Sequence, residues 1–268
     1  MWRQFVTELK ELIVEEKGAV CTLTFNRPEK RNLLTPGMLL ELSTQLERLK
    51  EGNKVRCVVI RGSGEKAFSS GYDISALGKN DMIENHEGKH PVSLAMKSIE
   101  NFPYPIIAMI NGHAFGAGLE IAVTSDIRIS TNDCLFGMPP VKLGVVYTYT
   151  GVRRFINLIG PGYTKELFLI GSPINAERAE RIGLVNFAMP KSKLEEFTYN
   201  IASDISENAP LSLKAIKEMT NVWQRNQILN PKDEELIRKL TTEVQDSEDY
   251  KEGQRAFSEK RKPEFKGK

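Results

Sequence analysis

The sequence has no long apolar run and no excess of one charge. Met1–Lys17 is interrupted by charged residues and lacks the apolar core of a signal peptide, and no later stretch approaches the length of a membrane span. We therefore expect a cytoplasmic protein without a membrane segment. Thirty-seven Lys and Arg residues against 35 Asp and Glu disfavour a general nucleic-acid-binding surface.

Cysteine is also scarce. The chain has Cys21, Cys57 and Cys134, far apart and without a CxxC motif or a Cys/His spacing. This argues against a disulfide framework and a zinc site, and it predicts buried, reduced thiols. The remaining composition, with 40% hydrophobic and 27% charged residues in 268, is that of an ordinary globular protein of one large domain, or of one domain and a smaller one.

Strand and helix signals alternate over the first two-thirds of the chain. Val55–Ile60, apolar apart from Arg56, and Ile106–Ile110 are runs typical of strands buried on both faces. Leucines at helical spacing after Thr35-Pro36 predict a helix over 36–50. This alternation predicts an α/β fold. Beyond Pro190 the pattern is almost purely helical, so we expect a core over 1–190 and a helical region over 191–268. Further strands are expected at 19–25, 126–130 and 134–136, and further helices at 118–125 and 176–182.

One segment is rich in small residues at a strand-to-helix turn: Ile110-Asn-Gly-His-Ala-Phe-Gly-Ala-Gly-Leu-Glu-Ile121. Glycine lets the backbone approach a ligand closely, and first-turn N–H groups have no partner inside the helix, so the turn is suited to an oxyanion. A tightly packed turn without a ligand explains the same residues. Ile121 stands where a GxGxxG dinucleotide motif needs its third glycine, and no Walker-type GK[ST] follows.

Two further features are ambiguous on local sequence. Glu120 lies just inside the helix, where a carboxylate can move protons next to a carbonyl or can complement the helix dipole. The loop Lys66-Ala-Phe-Ser-Ser-Gly-Tyr-Asp-Ile74 follows a buried strand. It can present consecutive N–H groups to a ligand, or be a surface loop in which Asp73 caps a helix.

Several other segments complete a pattern with this loop and the glycine turn. They are Asn26-Arg-Pro-Glu-Lys-Arg-Asn32, Ser125-Asp126, Leu143-Gly144, Ala176–Gly183 and Phe257-Ser-Glu-Lys-Arg-Lys-Pro263. In this order and spacing the chain resembles the crotonase (enoyl-CoA hydratase/isomerase) superfamily over essentially its whole length.

The resemblance implies a spiral of strand–strand–helix units with C-terminal helices that mediate trimerisation, often within hexamers. It implies an acyl-CoA substrate and an oxyanion hole made by the backbone N–H groups of Tyr72 and Ala117. Lys260 is expected to reach the nucleotide end of coenzyme A, and we expect no cofactor and no metal. The expected substrate and CoA contacts are Lys30, Arg31, Lys66, Ala67, Ser69, Ser70, Gly71, Tyr72, Asp73, Ile74, Gly116, Ala117, Pro139, Pro140 and Lys260.

The hydratases of this family act on one water with two glutamates, and here only the first is present, as Glu120. The second belongs four residues before Gly144, where this chain has Pro140. Proline has no side-chain proton to give or take, so two-carboxylate hydration is unavailable. The same loss argues against the isomerases that rely on the second glutamate.

One branch of the family is more similar. Phe136-x-Met-x-Pro-Val-x-Leu-Gly-Val-x-Tyr147 and the tail Asp246-Ser-Glu-Asp-Tyr-x-Glu-Gly253 resemble the methylmalonyl-CoA decarboxylases. In that branch the residues matching Glu120 and Tyr147 are the functional side chains. Decarboxylation needs no base to form the carbanion, and the site must mainly stabilise an enolate. The resemblance therefore implies a carboxy-lyase for a short 2-carboxyacyl-CoA such as methylmalonyl-CoA.

Alternatives stay open at this point. The branch has histidine where this chain has Tyr72, so the acyl group can differ, and Tyr147 can be an aromatic core residue. A hydratase or isomerase that uses Glu120 alone is one competing function, and a non-catalytic CoA- or RNA-binding relative is another. The histidines are expected in surface or satisfied roles: His86, His90 and His113.

Overall fold

A computed structural model describes residues 10–73, 90–225 and 231–267 of the chain. Its strands are β1 Leu12–Lys17, β2 Val20–Phe25, β3 Cys57–Gly62, β4 Ala67–Ser69, β5 Ile106–Ile110, β6 His113–Phe115, β7 Ile127–Thr131, β8 Leu135–Gly137, β9 Ile174–Asn175 and β10 Phe187–Met189. Its α-helices are α1 Pro36–Gly52, α2 Pro91–Asn101, α3 Ala117–Thr124, α4 Tyr149–Lys165, α5 Ala176–Arg181, α6 Lys191–Glu207, α7 Pro210–Arg225, α8 Pro231–Asp246 and α9 Glu248–Ser258.

The strands form two sheets. The larger has the order β1-β2-β3-β5-β7-β10, and the smaller has the order β4-β6-β8-β9. Pairing is parallel except between β1 and β2 and between β8 and β9. From β3 to β8 the chain alternates between the sheets, one strand in each. The α/β class predicted from the sequence is confirmed.

Caps and strand pairing set the element boundaries. Helix α1 begins at Pro36 because Thr35 caps it, and the Thr35 Oγ1 accepts the Met38 N–H at 3.0 Å. Strand β3 begins two residues beyond the start of its apolar run because β2 fixes its register, with Val20 opposite Cys57. Strand β10 was not predicted, since it has only three residues and is held by pairing with β7.

The larger sheet is buried on both faces. Val58 and Ile60 of β3 belong to the main hydrophobic core, whereas Val59 belongs to a second cluster that includes Leu194 and Ala202 of α6. Burial of both faces explains the apolar runs of the sequence. All three cysteines are buried, unbridged thiols, as predicted.

A buried lysine fixes α7 to this core. The Lys217 Nζ donates to the carbonyl oxygens of Ile99 and Tyr104, at 3.4 and 2.9 Å, and to Asp126 Oδ2 at 2.7 Å.

The division into a core over 1–190 and a helical region over 191–268 stays a prediction. No helix within the described ranges is both long and apolar enough to cross a membrane. Elsewhere α7 exposes large apolar side chains: Leu211, Ile216, Met219, Val222 and Trp223.

Candidate active site

The two loops singled out in the sequence leave the smaller sheet side by side. Strand β4 precedes the loop at 70–73, and β6 precedes the glycine turn that opens α3. The two strands are parallel neighbours, with Ser69 opposite Ala114. Because neighbouring parallel strands end at the same edge of a sheet, both loops emerge together.

Glycines bring the two loops into backbone contact. A Cβ added to Gly71 would lie 3.2 Å from the Phe115 carbonyl oxygen, and one added to Gly118 would lie 2.5 Å from the Ser69 Cβ. Gly71 has φ +103° and Gly116 has φ +51°, values that side chains disfavour. Close approach of two backbones is therefore built into the site.

The backbone N–H groups of Tyr72 and Ala117 belong to these loops. Leu34 pairs with the first loop, since its N–H donates to Gly71 O at 2.8 Å and its carbonyl accepts from Asp73 N at 2.9 Å. In a parallel bridge of this kind, the Tyr72 N–H and C=O point away from Leu34. Ala117 is the first residue of α3, so its N–H has no partner inside the helix.

A basic turn is fastened to the same loop. Lys30 and Arg31 are exposed, the Ser70 N–H donates to the Arg31 carbonyl at 3.0 Å, and Ser70 Oγ donates to the Lys30 carbonyl at 3.5 Å. Asn32 is fully buried beneath the turn and donates to the carbonyl of Ala67 at 2.7 Å. The structure thus brings the predicted residues of 30–31 and 66–73 together, with Asn32 as an organiser that the sequence did not reveal.

Glu120 is 2% exposed in the first turn of α3, and both of its carboxylate oxygens are engaged. The Tyr147 hydroxyl donates a hydrogen bond to Oε2. The Arg154 Nη1 donates to Oε1 at 2.9 Å, while its Nε donates to Glu100 Oε1 at 2.8 Å. Neither Arg154 nor Glu100 was predicted, because no sequence motif surrounds them and they approach Glu120 only in the fold.

Tyr147 combines the two roles left open for it. Its ring packs edge-to-face on Phe168 with centroids 5.6 Å apart, and its hydroxyl binds Glu120. Gly151, in the first turn of α4, makes room for Tyr147 and Glu120. A Cβ added to it would lie 2.5 Å from a Tyr147 ring carbon and 3.0 Å from Glu120 Oε1. The phenol is therefore both a packed aromatic and a hydrogen-bond donor.

The charges of this cluster reinforce one another. Burial and then the Glu120 charge raise the pKa of the Tyr147 phenol well above its usual value, so it remains protonated. Burial acts to lower the pKa of the Arg154 guanidinium, but the charges of Glu120 and Glu100 outweigh it and raise that pKa. The cluster thus contains a guanidinium that stays charged and a phenol that stays protonated.

Pro140 begins a 3₁₀ turn, Pro140–Leu143, where the second glutamate of a hydratase was sought. Pro140 is buried and Pro139 partly buried. Helix α9 packs on this turn so closely that a Cβ on Gly144 would lie 2.6 Å from the Asp249 carbonyl oxygen. Lys260 is exposed just beyond the end of α9.

The other candidates fall outside this cluster. Ile74 and His86 lie outside the described residues. His90 is buried and caps α2, with Nδ1 accepting the Val92 N–H at 3.2 Å, and its ring lies 5.0 Å from that of Tyr72. His113 is exposed, and its Nδ1 accepts from the Leu135 N–H. Within 10–73, 90–225 and 231–267 no group of three metal-binding side chains occurs.

Comparison with known proteins identifies the family. The profile described as enoyl-CoA hydratase/isomerase matches residues 15–268. The chain belongs to this family. As a member, it is 37% identical to methylmalonyl-CoA decarboxylase of Escherichia coli K12 over 92% of this chain and 95% of that one. It is 35% identical to short-chain-enoyl-CoA hydratase of Clostridium acetobutylicum over 96% and 98%.

A solved structure shows the same arrangement of the chain. It is methylmalonyl-CoA decarboxylase in complex with 2-nitronate-propionyl-CoA, which superimposes with a TM-score of 0.92 at 35% identity, covering 97% of this chain and 99% of that one. The chain thus has the fold of a methylmalonyl-CoA decarboxylase, and its sequence is almost equally similar to that of a hydratase.

Proposed function

We propose that this enzyme decarboxylates a short 2-carboxyacyl-CoA such as methylmalonyl-CoA. The observation that carries the proposal is the bond between the Tyr147 hydroxyl and Glu120 in a chain with proline at 140. Identities of 37% and 35% to a decarboxylase and a hydratase do not separate the two reactions, so the side chains must. A phenol beside one carboxylate suits an enolate better than a two-carboxylate attack of water.

The proposed oxyanion hole consists of the N–H groups of Tyr72 and Ala117. Support comes from the contact between Gly71 and the Phe115–Gly116 backbone, and from the position of Ala117 at the start of α3. Donors fixed in place before the reaction stabilise a developing oxyanion without reorganising, and the helix dipole adds to them. Their target is the thioester oxygen, which becomes negative in the enolate.

In the proposed reaction the bond between the α-carbon and the carboxylate breaks and CO2 leaves. The electron pair stays behind and is delocalised as the enolate onto the thioester oxygen. The α-carbon then takes a proton, for which Tyr147 is the proposed donor, and water restores the phenol. Apart from that proton no other reactant is needed, which agrees with the expected absence of a cofactor or metal.

For coenzyme A we propose a path along Lys30, Arg31 and the loop 66–74, with Lys260 at the nucleotide end. It is supported by the exposure of the three cations and by the bonds that tie Ser70 to the basic turn. Pro139 and Pro140 would border the acyl group. Exposed cations at the mouth of a site can bind the charged phosphates of coenzyme A.

We also propose that the enzyme is a homotrimer, or a hexamer of two trimers, assembled through its C-terminal helices. The supporting observation is the apolar surface of α7, where Leu211 is 79% exposed, Met219 69% and Trp223 63%. Large side chains gathered on one exposed helix commonly mark a subunit interface. Sedimentation of the purified protein measures the assembly directly.

The experiment that tests the reaction supplies the purified enzyme with methylmalonyl-CoA, malonyl-CoA and crotonyl-CoA. We expect CO2 release from a 2-carboxyacyl-CoA and little hydration. Glu120→Gln is expected to lower kcat about 100-fold or more. If neither 2-carboxyacyl-CoA turns over while crotonyl-CoA is hydrated briskly, decarboxylation is excluded.

The second candidate is hydration or isomerisation of an unusual enoyl-CoA by Glu120 alone. It is favoured by the position of Glu120 in the first turn of α3, beside the glycine turn, where a carboxylate can move protons next to a thioester carbonyl. Solvent deuterium incorporation into an acyl-CoA would then depend on Glu120. Unchanged incorporation in Glu120→Gln would rule the candidate out.

A further inference from the structure

Arg154 connects carboxylates from two different helices. It reaches Glu100 of α2 with Nε, at 2.8 Å, and Glu120 of α3 with Nη1, at 2.9 Å. Its side chain is 13% exposed and that of Glu120 is 3% exposed, so little water screens the pair. A guanidinium holds its donors in a rigid plane, so two such bonds fix its orientation.

Both carboxylate oxygens of Glu120 act as acceptors. A guanidinium has only donors, so the oxygen facing Arg154 carries no proton. The other oxygen receives the Tyr147 hydroxyl. Glu120 is thus a carboxylate engaged at both ends, and the phenol is the member of the trio with a proton to transfer.

The residues around Arg154 are closely packed. Arg154 follows Gly151 by three residues and so lies on the same face of α4. Gly151 leaves the space in which the Tyr147 ring and Glu120 Oε1 meet. On the far side, Asn221 of α7 donates to the Glu100 carbonyl at 2.9 Å, which anchors the helix that carries the second carboxylate.

We propose that Arg154 is a positioning residue that holds Glu120 in place as an acceptor, so that Glu120 fixes the Tyr147 hydroxyl beside the substrate. Glu100 holds Arg154 from behind. The inference deepens the proposed function, and its kinetic consequence rests on that function. Its electrostatic consequence does not, because the ion pair of Arg154 with Glu120 is a property of the enzyme without substrate.

A purely structural clamp between helices would use the same contacts, so the test needs a readout that packing alone does not move. Three chains are labelled with ¹³Cζ-tyrosine: the wild type, Arg154→Met and Arg48→Met. Arg48 pairs with Glu16 at the surface, with side chains 50% and 41% exposed, and serves as the matched control. The Tyr147 signal is assigned by its loss in Tyr147→Phe.

The signal is followed as the pH falls from about 8 to about 5, across the range in which a buried carboxylate without its counter-charge takes up a proton. We expect no shift in the wild type and in Arg48→Met, and a clear shift in Arg154→Met, because the carboxylate that accepts the Tyr147 hydroxyl then lacks its cation. The same pH response in all three proteins would overturn the proposal.

Kinetics provide the second arm. Arg154→Met is expected to lower kcat about 100-fold, the scale of a misplaced reacting group, with little change in KM. Because Arg154 acts through Glu120, adding Arg154→Met to Glu120→Gln should cost nothing further. Losses that simply multiply would contradict the proposal. Should Arg154→Met fail to fold, Arg154→Lys replaces it, with a smaller loss and the same non-additivity expected.

The two arms separate the two hypotheses. If the Tyr147 signal shifts with pH in Arg154→Met as expected, but the wild-type enzyme releases no CO2, decarboxylation is refuted and the role of Arg154 stands. Release of CO2 with an unchanged titration in Arg154→Met would refute the role of Arg154 and leave decarboxylation intact.

Discussion

Among the described residues, two largely buried cation–carboxylate pairs differ in what surrounds them. Lys217 meets Asp126 at 2.7 Å where α7 joins the core, and its three N–H donors have three acceptors. Asp126 Oδ2 also accepts the Ile106 N–H at 2.7 Å. Arg154 meets Glu120 at 2.9 Å, but there the carboxylate also carries the hydroxyl of the partly buried Tyr147.

The difference separates a structural pair from a chemical one. Every polar atom at Lys217 serves to fasten one helix, so a ligand would have to displace an existing bond. At Glu120 the bonds end on a phenol, whose oxygen can still interact with a substrate. A saturated ion pair indicates stability, and an ion pair that terminates in a titratable hydroxyl indicates function.

The largest expected effect is on the saturated pair. Lys217→Met leaves Asp126 without its cation and should lower the free energy of unfolding by about 3–5 kcal/mol. Urea unfolding at fixed protein concentration measures this. The control is Lys239→Met, whose exposed pair with Glu243 should contribute less than about 1 kcal/mol. Equal effects of the two substitutions would show that the buried pair does not fasten α7.

The second-largest effect is expected at the Arg154–Glu120 pair and its partner Tyr147. Tyr147→Phe keeps the ring on Phe168 but removes the hydroxyl, so kcat should fall about 100-fold or more. The loss of one partner of Glu120 should cost only about 1–3 kcal/mol of stability. Steady-state kinetics and urea unfolding on the same preparation separate the two. A wild-type kcat would mean that Tyr147 serves packing alone.

The smallest effect is expected at Cys57, which lies in the region of the saturated pair. Burial, then the charge of Asp126, raises the pKa of its thiol to about 12, partly offset by Lys217. A raised thiol pKa means protonated, unreactive sulfur below that pH, so disulfide exchange at pH 8 should be slow and should accelerate as the pH rises. Lys217→Met removes a cation that lowers this pKa, which by itself slows exchange, but the lost ion pair lets the region open more often. We expect opening to dominate, so exchange should accelerate in Lys217→Met and stay at the wild-type rate in Tyr147→Phe. Acceleration in both would show that the regions open together.

Local sequence predicted what depends on local rules. Helix α1 followed from Thr35-Pro36 and its leucine spacing, and the turn at Gly116 followed from its small residues before α3. Tyr147 was found only through family resemblance, since an aromatic among apolar residues has no distinctive local pattern. The bond from Arg154 to Glu120 spans 34 residues and that from Lys217 to Asp126 spans 91. Such partners depend on how helices cross, which no local pattern encodes.

Gly151 illustrates a limit on how this enzyme can be improved. Glycine is a poorer helix former than alanine, by up to about 1 kcal/mol, and Gly151 lies in the first turn of α4, so a search for thermostable variants would select Gly151→Ala on propensity alone. Its added methyl group would meet the Tyr147 ring and crowd the Glu120 oxygen. Glycine here keeps a weak point in α4 and lets a phenol and a carboxylate meet, so helix stability and this contact compete at a single position.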